Sequence, residues 1–274
     1  MFTTFFKMKT QPFAEKIPVE QIFQDERITQ GLARLVFMVT YGQIALITGQ
    51  TGSGKSTLLK VLLNNLPQNQ YWPVYVHFTH VRASSLFKLI VTALGEVPKL
   101  TKERVFLQIM EKTQSSNITV VLIVDEAHLL DTKAIVDLRL LVSSALDEKP
   151  PLKIILSGQD ELIHKLKRSD FTDFAHRVSV CCKMKPLTKA QTAAYMDFQM
   201  KYAGASEKVF DTEVKEMIHE YSNGIARQIN NIATGCLINA SIQKAQNINM
   251  ELLNQTMNEF HLGADTLIYH EILD

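Results

Sequence analysis

Two short stretches hold the residue types that chemistry would need. The first, "GQTGSGKST" from Gly49 to Thr57, fits the pattern G-x-x-x-x-G-K-[ST]. Its glycines let the chain wrap so that successive backbone N–H groups converge on anionic oxygens. A helix starting at the lysine would add its positive end. Gly49, Gln50, Thr51, Gly52, Ser53, Gly54, Lys55, Ser56 and Thr57 would then form a phosphate cradle. Lys55 is placed to reach β- and γ-phosphates, and the Ser56 hydroxyl to ligate Mg²⁺. The expected cofactors are therefore ATP and Mg²⁺.

The second stretch, "VVLIVDEAHLLD" from Val120 to Asp131, is an apolar run that ends in two acids. Ligands of doubly wound sheets collect at the C-terminal ends of the strands. There Asp125 can share Mg²⁺ with Ser56, and Glu126 can polarise an attacking water. The plainer alternative for Glu126 is a solvated acid at a strand end. His128 reads as a structural or capping residue rather than a catalytic one. The letters Asp-Glu-Ala-His also spell a helicase signature. A two-lobed helicase needs two α/β domains, however, and this length holds one. A kinase excludes water from its γ-phosphate, so the paired acids point to hydrolysis.

The elements that must position these groups follow from the pattern of apolar runs. Five of them read as strands: 43–48, 74–78, 120–124, 153–157 and 178–182. Helical segments intervene: one from Ser56 to before Pro67, one from Ser84 to near Gly95, and two after Thr101 and Asp131. Such alternation predicts an α/β fold, a five-stranded parallel sheet with flanking helices. Beyond Pro186 the strand pattern stops. Thr188 with Gln191 predicts a capping box opening a helix that ends at Gly204, with further helices from about Asp211, Gly224 and Asn249. The expected domains are a leader at 1–40 packing on the core, the nucleotide-binding domain at 41–185, a helical lid at 186–262 and a tail at 263–274.

Composition narrows the classes. Apolar residues make up 46% and charged residues 21%, which suits a globule with a real core. The formal net charge of +1 gives no global drive toward nucleic acid, so DNA binding would need a local patch or an assembly. The apolar run Val120–Val124 falls far short of the roughly 20 residues that span a bilayer. The opening "MFTTFFKMKT" lacks the form of a secretory signal. Three cysteines, two adjacent at Cys181 and Cys182, offer neither a disulfide framework nor metal-ligand spacing. His77 and His80 in "HFTHVR" likewise lack a third ligand at suitable spacing. A cytoplasmic location is expected.

Taken in order, "GQTGSGKST", "VLIVDEAHLL", "IILSGQDEL", "FAHRVSV" and "SNGIARQINNIATGCLINA" resemble the motifs of an AAA+ ATPase. With the opening "FFKMKTQPFAEKIP", the chain is similar to the ExeA group (general secretion pathway protein A) and its transposon-borne relatives over about residues 5–260. The resemblance implies roles that spacing does not give. Gln159 falls where the family places its sensor-1 polar residue, with Ser157 as the alternative. Arg177 matches the arginine supplied in trans to a neighbour's γ-phosphate, and a surface ion pair is its plainer reading. Arg227 matches sensor 2, or else forms a salt bridge near the helix start.

Two biological branches share this architecture. Secretion-type members normally continue into a transmembrane segment and a periplasmic domain, whereas this sequence ends about 12 residues after its lid. Stand-alone members of this size resemble the transposition ATPases of the TnsC, TniB and Mu B type. The expected function is thus an ATP-dependent regulator that oligomerises on duplex DNA as a ring or filament and recruits or activates a transposase. Hydrolysis would release the assembly. A helicase-loading or protein-remodelling ATPase is the remaining alternative. Arg82, Lys88, Lys99, Thr101, Lys102 and Arg104 lie where related ATPases face the central channel, and are the candidate DNA contacts. Otherwise they form a solvated helix face.

Overall fold

The computed structural model describes residues 1–15, 17–77, 83–143, 152–205 and 207–259. By its contacts the chain divides into two units: Glu26–Lys185, and Met1–Asp25 together with the chain from Pro186 onward. Helix α1 (Phe2–Phe5) opens the second unit. The first unit begins with α2 (Glu26–Tyr41), β1 (Ile44–Thr48), α3 (Lys55–Asn65) and β2 (Tyr71–His77). It continues through α4 (Ala83–Ala93), α5 (Lys102–Gln114), β3 (Thr119–Asp125), α6 (Thr132–Ser143) and β4 (Leu152–Gly158). Short helices α7 (Glu161–Leu166) and α8 (Thr172–Ala175) lead to β5 (Val178–Lys183). The second unit resumes with α9 (Lys189–Ala203), α10 (Thr212–Ser222), α11 (Ala226–Gln243) and α12 (Met250–Glu259).

The five strands form one parallel sheet in the order β2-β3-β4-β1-β5. The order explains which strands were easy to read. β1 and β4 are buried along their whole length and β3 nearly so, because helices cover both faces. The edge strands β2 and β5 alternate between buried and accessible positions. β2 therefore begins at Tyr71, ahead of the expected Val74, and carries Pro73, which an edge strand tolerates. Phe78, expected to end it, lies outside the described residues.

The first 40 residues depart most from expectation, since they are not one leader packed on the core. Glu26–Tyr41 is a sixteen-residue helix of the α/β unit whose face of Ile28, Gly31, Leu35, Met38 and Val39 is buried. Gly31 lies against Leu58 of α3, where an added Cβ would come within 2.8 Å of Cδ2. Residues 1–25 instead supply Phe2, Phe6 and Phe13 to the core of the helical unit. Phe13 meets Tyr195 and Phe210 edge-on at 6.4 and 6.2 Å between ring centroids. The cause is apolar periodicity. It is helical from Ile28 onward, whereas Phe2 and Phe6 stand at the two ends of the short helix α1 and Phe13 follows it as a separate anchor.

Candidate nucleotide-hydrolysis site

Strand order brings three of the singled-out segments to one end of the sheet. β4 lies between β1 and β3, so the loop after β1 and the acids ending β3 flank the end of β4. Neighbouring strands lie about 4.8 Å apart, which separates β1 from β3 by roughly 10 Å. The registers Ile47–Ser157, Thr48–Gly158 and Val124–Leu156 set Ser157 beside Asp125, and Gln159 directly beyond.

The loop after β1 is built around backbone positions open to glycine. Gly49, Gly52 and Gly54 have φ of +147°, +81° and +105°. At Gly49 a Cβ would also lie 2.5 Å from the Met184 carbonyl oxygen and 2.9 Å from Ser53 Oγ. Gly54 caps the start of α3 without a side chain, and the first helical bond runs from the Leu58 N–H to the Gly54 carbonyl. The preceding N–H groups of α3 therefore have no intrahelical acceptor. Lys55 is buried, with Nζ donating to the carbonyls of Gly49 and Gln50 at 2.9 and 3.0 Å. The buried hydroxyls of Thr48, Ser53 and Ser157 have no hydrogen-bond partner among the described residues. Open amides, a lysine and unpartnered hydroxyls at one strand end suit a polyphosphate.

Asp125 is buried, and both its oxygens are engaged. Oδ2 accepts from the Tyr75 hydroxyl at 2.6 Å, and Oδ1 from the Glu126 N–H at 3.0 Å. Burial first, and then this bond to Asp125, push the Tyr75 phenol well above its ordinary range. Tyr75 went unread because its only signal was one polar-tipped aromatic on an edge strand. Glu126 adopts a left-handed conformation at φ +54°, which is strained for a residue with a Cβ. That turn aims its carboxylate at His128 Nδ1, 3.4 Å from Oε2. Gln159 lies on the other side of the same ring, its Nε2 3.3 Å from His128 Nε2.

The remaining singled-out residues lie elsewhere. Arg177 precedes β5 and donates from Nη1 to Oε1 of Gln43, which precedes β1, at 3.3 Å. In a parallel sheet both positions are at the N-terminal end. The six residues of β5 put Arg177 about 20 Å from its own phosphate loop. Its partner is a neutral amide, while Arg168 pairs with Asp170 at 3.0 Å. Arg227 is exposed at the second position of α11, within the helical unit.

Among the candidate DNA contacts, Arg82 lies outside the described residues, and Lys88, Lys99 and Arg104 are exposed. Two others have structural work. Thr101 caps α5, accepting from the Arg104 N–H at 3.4 Å, and Lys102 pairs with the buried Asp137 at 2.7 Å.

A family model described as an AAA domain matches residues 39–166, spanning the phosphate loop, both acids and Gln159. General secretion pathway protein A of Aeromonas hydrophila is 29% identical over 248 residues, 88% of this chain. The chain carries an AAA domain over residues 39–166. The chain spans 45% of the length of that Aeromonas relative. Its fold is also that of Cdc6p from Pyrobaculum aerophilum, with a TM-score of 0.69 at 17% identity, covering 94% of this chain and 70% of the other. The Orc1 protein of Aeropyrum pernix, solved in complex with DNA, gives 0.66 at 15% identity over 88% of this chain and 67% of the other. The RuvB Holliday junction branch migration motor of Thermotoga maritima gives 0.62 at 16%, over 90% and 73%. No helix among the described residues is long and apolar enough to cross a membrane.

Proposed function

We propose that this AAA+ ATPase assembles on duplex DNA in its ATP state and recruits or activates a transposase, with hydrolysis driving disassembly. The observation that carries the assembly is the seat of Arg177 at the far end of the sheet from its own phosphate loop. It cannot reach its own nucleotide, so a second copy must complete the site if Arg177 stabilises the γ-phosphate. ATP at such an interface favours a ring or filament. Ser56 and Asp125 would hold Mg²⁺, which supplies charge neutralisation at the phosphates. Lys55 would orient the phosphates and Glu126 the attacking water. Ser157 or Gln159 would meet the γ-phosphate, and Arg227 would report nucleotide state to the helical unit. An arginine near a helix N-terminus opposes the macrodipole, so stability alone does not favour it there.

Duplex DNA as client is supported by the likeness to an Orc1 protein solved with DNA and by exposed Lys88, Lys99 and Arg104. With a net charge of +1, one subunit binds weakly, but repetition along a duplex adds phosphate contacts. Such binding would be largely independent of sequence. The test is electron microscopy and duplex binding with a non-hydrolysable ATP analogue at low and high salt. Salt-sensitive assemblies on arbitrary duplex are expected. No duplex binding at saturating analogue and low salt would refute this reading. A second reading, an ATPase of a secretion machinery, is favoured by the identity to the Aeromonas protein. A transposase gene beside this one supports the first reading, and a secretin gene the second.

A further inference from the structure

The His128 ring lies between Glu126 after β3 and Gln159 after β4. The loop carrying it presses onto the end of β4 because Gly158 has no side chain. A Cβ there would lie 2.9 Å from the His128 backbone nitrogen and 3.4 Å from its Nδ1. Lys165 of α7 fixes the same loop from outside, donating from Nζ to the carbonyls of His128 and Leu130 at 2.7 and 2.6 Å. Burial lowers the pKa of that lysine, because desolvation disfavours its charged form. The loop is thus seated, and the ring it carries is only 13% exposed.

Three groups compete for the two ring nitrogens. Glu126 Oε2 is 3.4 Å from Nδ1, the Gln159 backbone N–H is 3.5 Å from the same atom, and the Gln159 side-chain amide is 3.3 Å from Nε2. Nδ1 cannot donate to a carboxylate and accept from an N–H at once. If Nδ1 carries the proton, it donates to Glu126 and Nε2 accepts from the Gln159 amide. If Nε2 carries it, Nδ1 accepts the Gln159 N–H, the amide turns its oxygen to the ring, and Glu126 is released. The two arrangements differ in whether the carboxylate is held.

We propose that His128 is a positioning residue that ties Glu126 to Gln159, so that the orientation of the base depends on what Gln159 contacts. A γ-phosphate that draws the Gln159 amide away changes the partner of Nε2, and through the ring the grip on Glu126. His128 touches neither water nor phosphate in this scheme, and no bond is made or broken at it. The inference rests on the proposed roles of Glu126 and Gln159.

The test is steady-state ATP hydrolysis by the full chain, with and without duplex DNA, for His128→Ala, Gln159→Ala, the double variant and Glu126→Gln. His128→Ala is expected to lower kcat about 10- to 100-fold with KM for ATP nearly unchanged, the signature of a misplaced catalytic group. The double variant should be no slower than the slower single variant, because both remove one link. Unchanged kcat in His128→Ala, or effects that multiply in the double variant, would overturn the proposal. Should His128→Ala fail to fold, His128→Asn (which keeps a group near Nδ1) and His128→Gln (near Nε2) carry the test. Each breaks one half of the link, and wild-type kcat in either overturns the proposal. Glu126→Gln separates the two claims. If it turns over normally, the assignment of the base is wrong. If it is inactive while His128→Ala is normal, only the link is wrong.

Discussion

Helices α3 and α9 begin in opposite ways. At the start of α9 the protein satisfies its own donors: Thr188 Oγ1 accepts from the Gln191 N–H at 3.3 Å, and Gln191 Oε1 from the Thr188 N–H at 3.0 Å. At the start of α3, Gly54 has no side chain to offer, and the first-turn amides face the loop after β1. Every helix must dispose of its first N–H groups. A reciprocal cap closes the end and adds stability, whereas a glycine leaves the end open to an anion. Positive φ occurs in both units and serves different ends. Around the open end Gly49, Gly54 and Glu126 have positive φ, and three buried hydroxyls lack partners among the described residues. In the helical unit the tight turn at Gly224 closes on itself, with the Leu187 N–H donating to its carbonyl at 2.9 Å.

The sharpest way to break this contrast is to place a methyl group at each tight glycine. Gly49→Ala sets a Cβ 2.5 Å from the Met184 carbonyl at φ +147°, so the loop must move. ATP affinity is expected to fall roughly 100-fold or more, about 2.7 kcal/mol, read with a fluorescent nucleotide. Far-UV circular dichroism should show the fold retained. Unaltered affinity would mean that the loop geometry does not define the site. Gly224→Ala meets the Leu187 carbonyl oxygen at 2.1 Å, with φ +69°. There the expected loss is in stability, roughly 3 kcal/mol in chemical denaturation. An unchanged denaturation midpoint would show the turn to be dispensable.

The same contrast decides what could be read from the sequence. β3 and its acids were legible because a central strand has an uninterrupted apolar run, and the α9 cap because Thr188 and Gln191 stand at fixed spacing. The phosphate loop was legible because glycine positions are tied to backbone geometry. The Tyr75 bond to Asp125 was not, since it joins residues on neighbouring strands 50 positions apart. Nor was the contact of His128 with Gln159, which depends on Gly158 admitting the loop. Residues 26–41 were hidden because their apolar face is interrupted by Gly31, whose fit against Leu58 only packing reveals.

Each unit also buries one thiol, which allows the two to be compared under alkaline stress. Burial pushes Cys182 in the α/β unit and Cys236 in the helical unit from 9.0 up to about 11. A raised thiol pKa means that the folded state holds its proton longer than the unfolded chain. Its contribution is complete below pH 9 and is lost as pH rises from 9 toward 11. Each thiol should remove on the order of 2 kcal/mol across that window. Urea denaturation of Cys182→Ala and Cys236→Ala at pH 8 and pH 10.5 would show it. Each variant should lose less stability between the two pH values than the parent does. Equal losses in variant and parent would mean that the thiols are not buried in this way.

The smallest expected effect tests the closed end directly. Thr188→Ala removes the acceptor for the Gln191 N–H and leaves that donor to water. N-cap threonine substitutions of this kind cost about 1 kcal/mol. Thr188→Ser keeps the oxygen and should recover most of the loss, because the bond depends on the hydroxyl rather than the methyl group. The corresponding change at the open end, Gly54→Ser, should act in the reverse sense. Its φ of +105° disfavours any side chain, and a hydroxyl there would compete with phosphate for the amides it caps. Thr188→Ala should therefore shift the denaturation midpoint and Gly54→Ser the ATP affinity. If Thr188→Ala leaves the midpoint unchanged, the capping box contributes no stability and α9 is held by its packing alone.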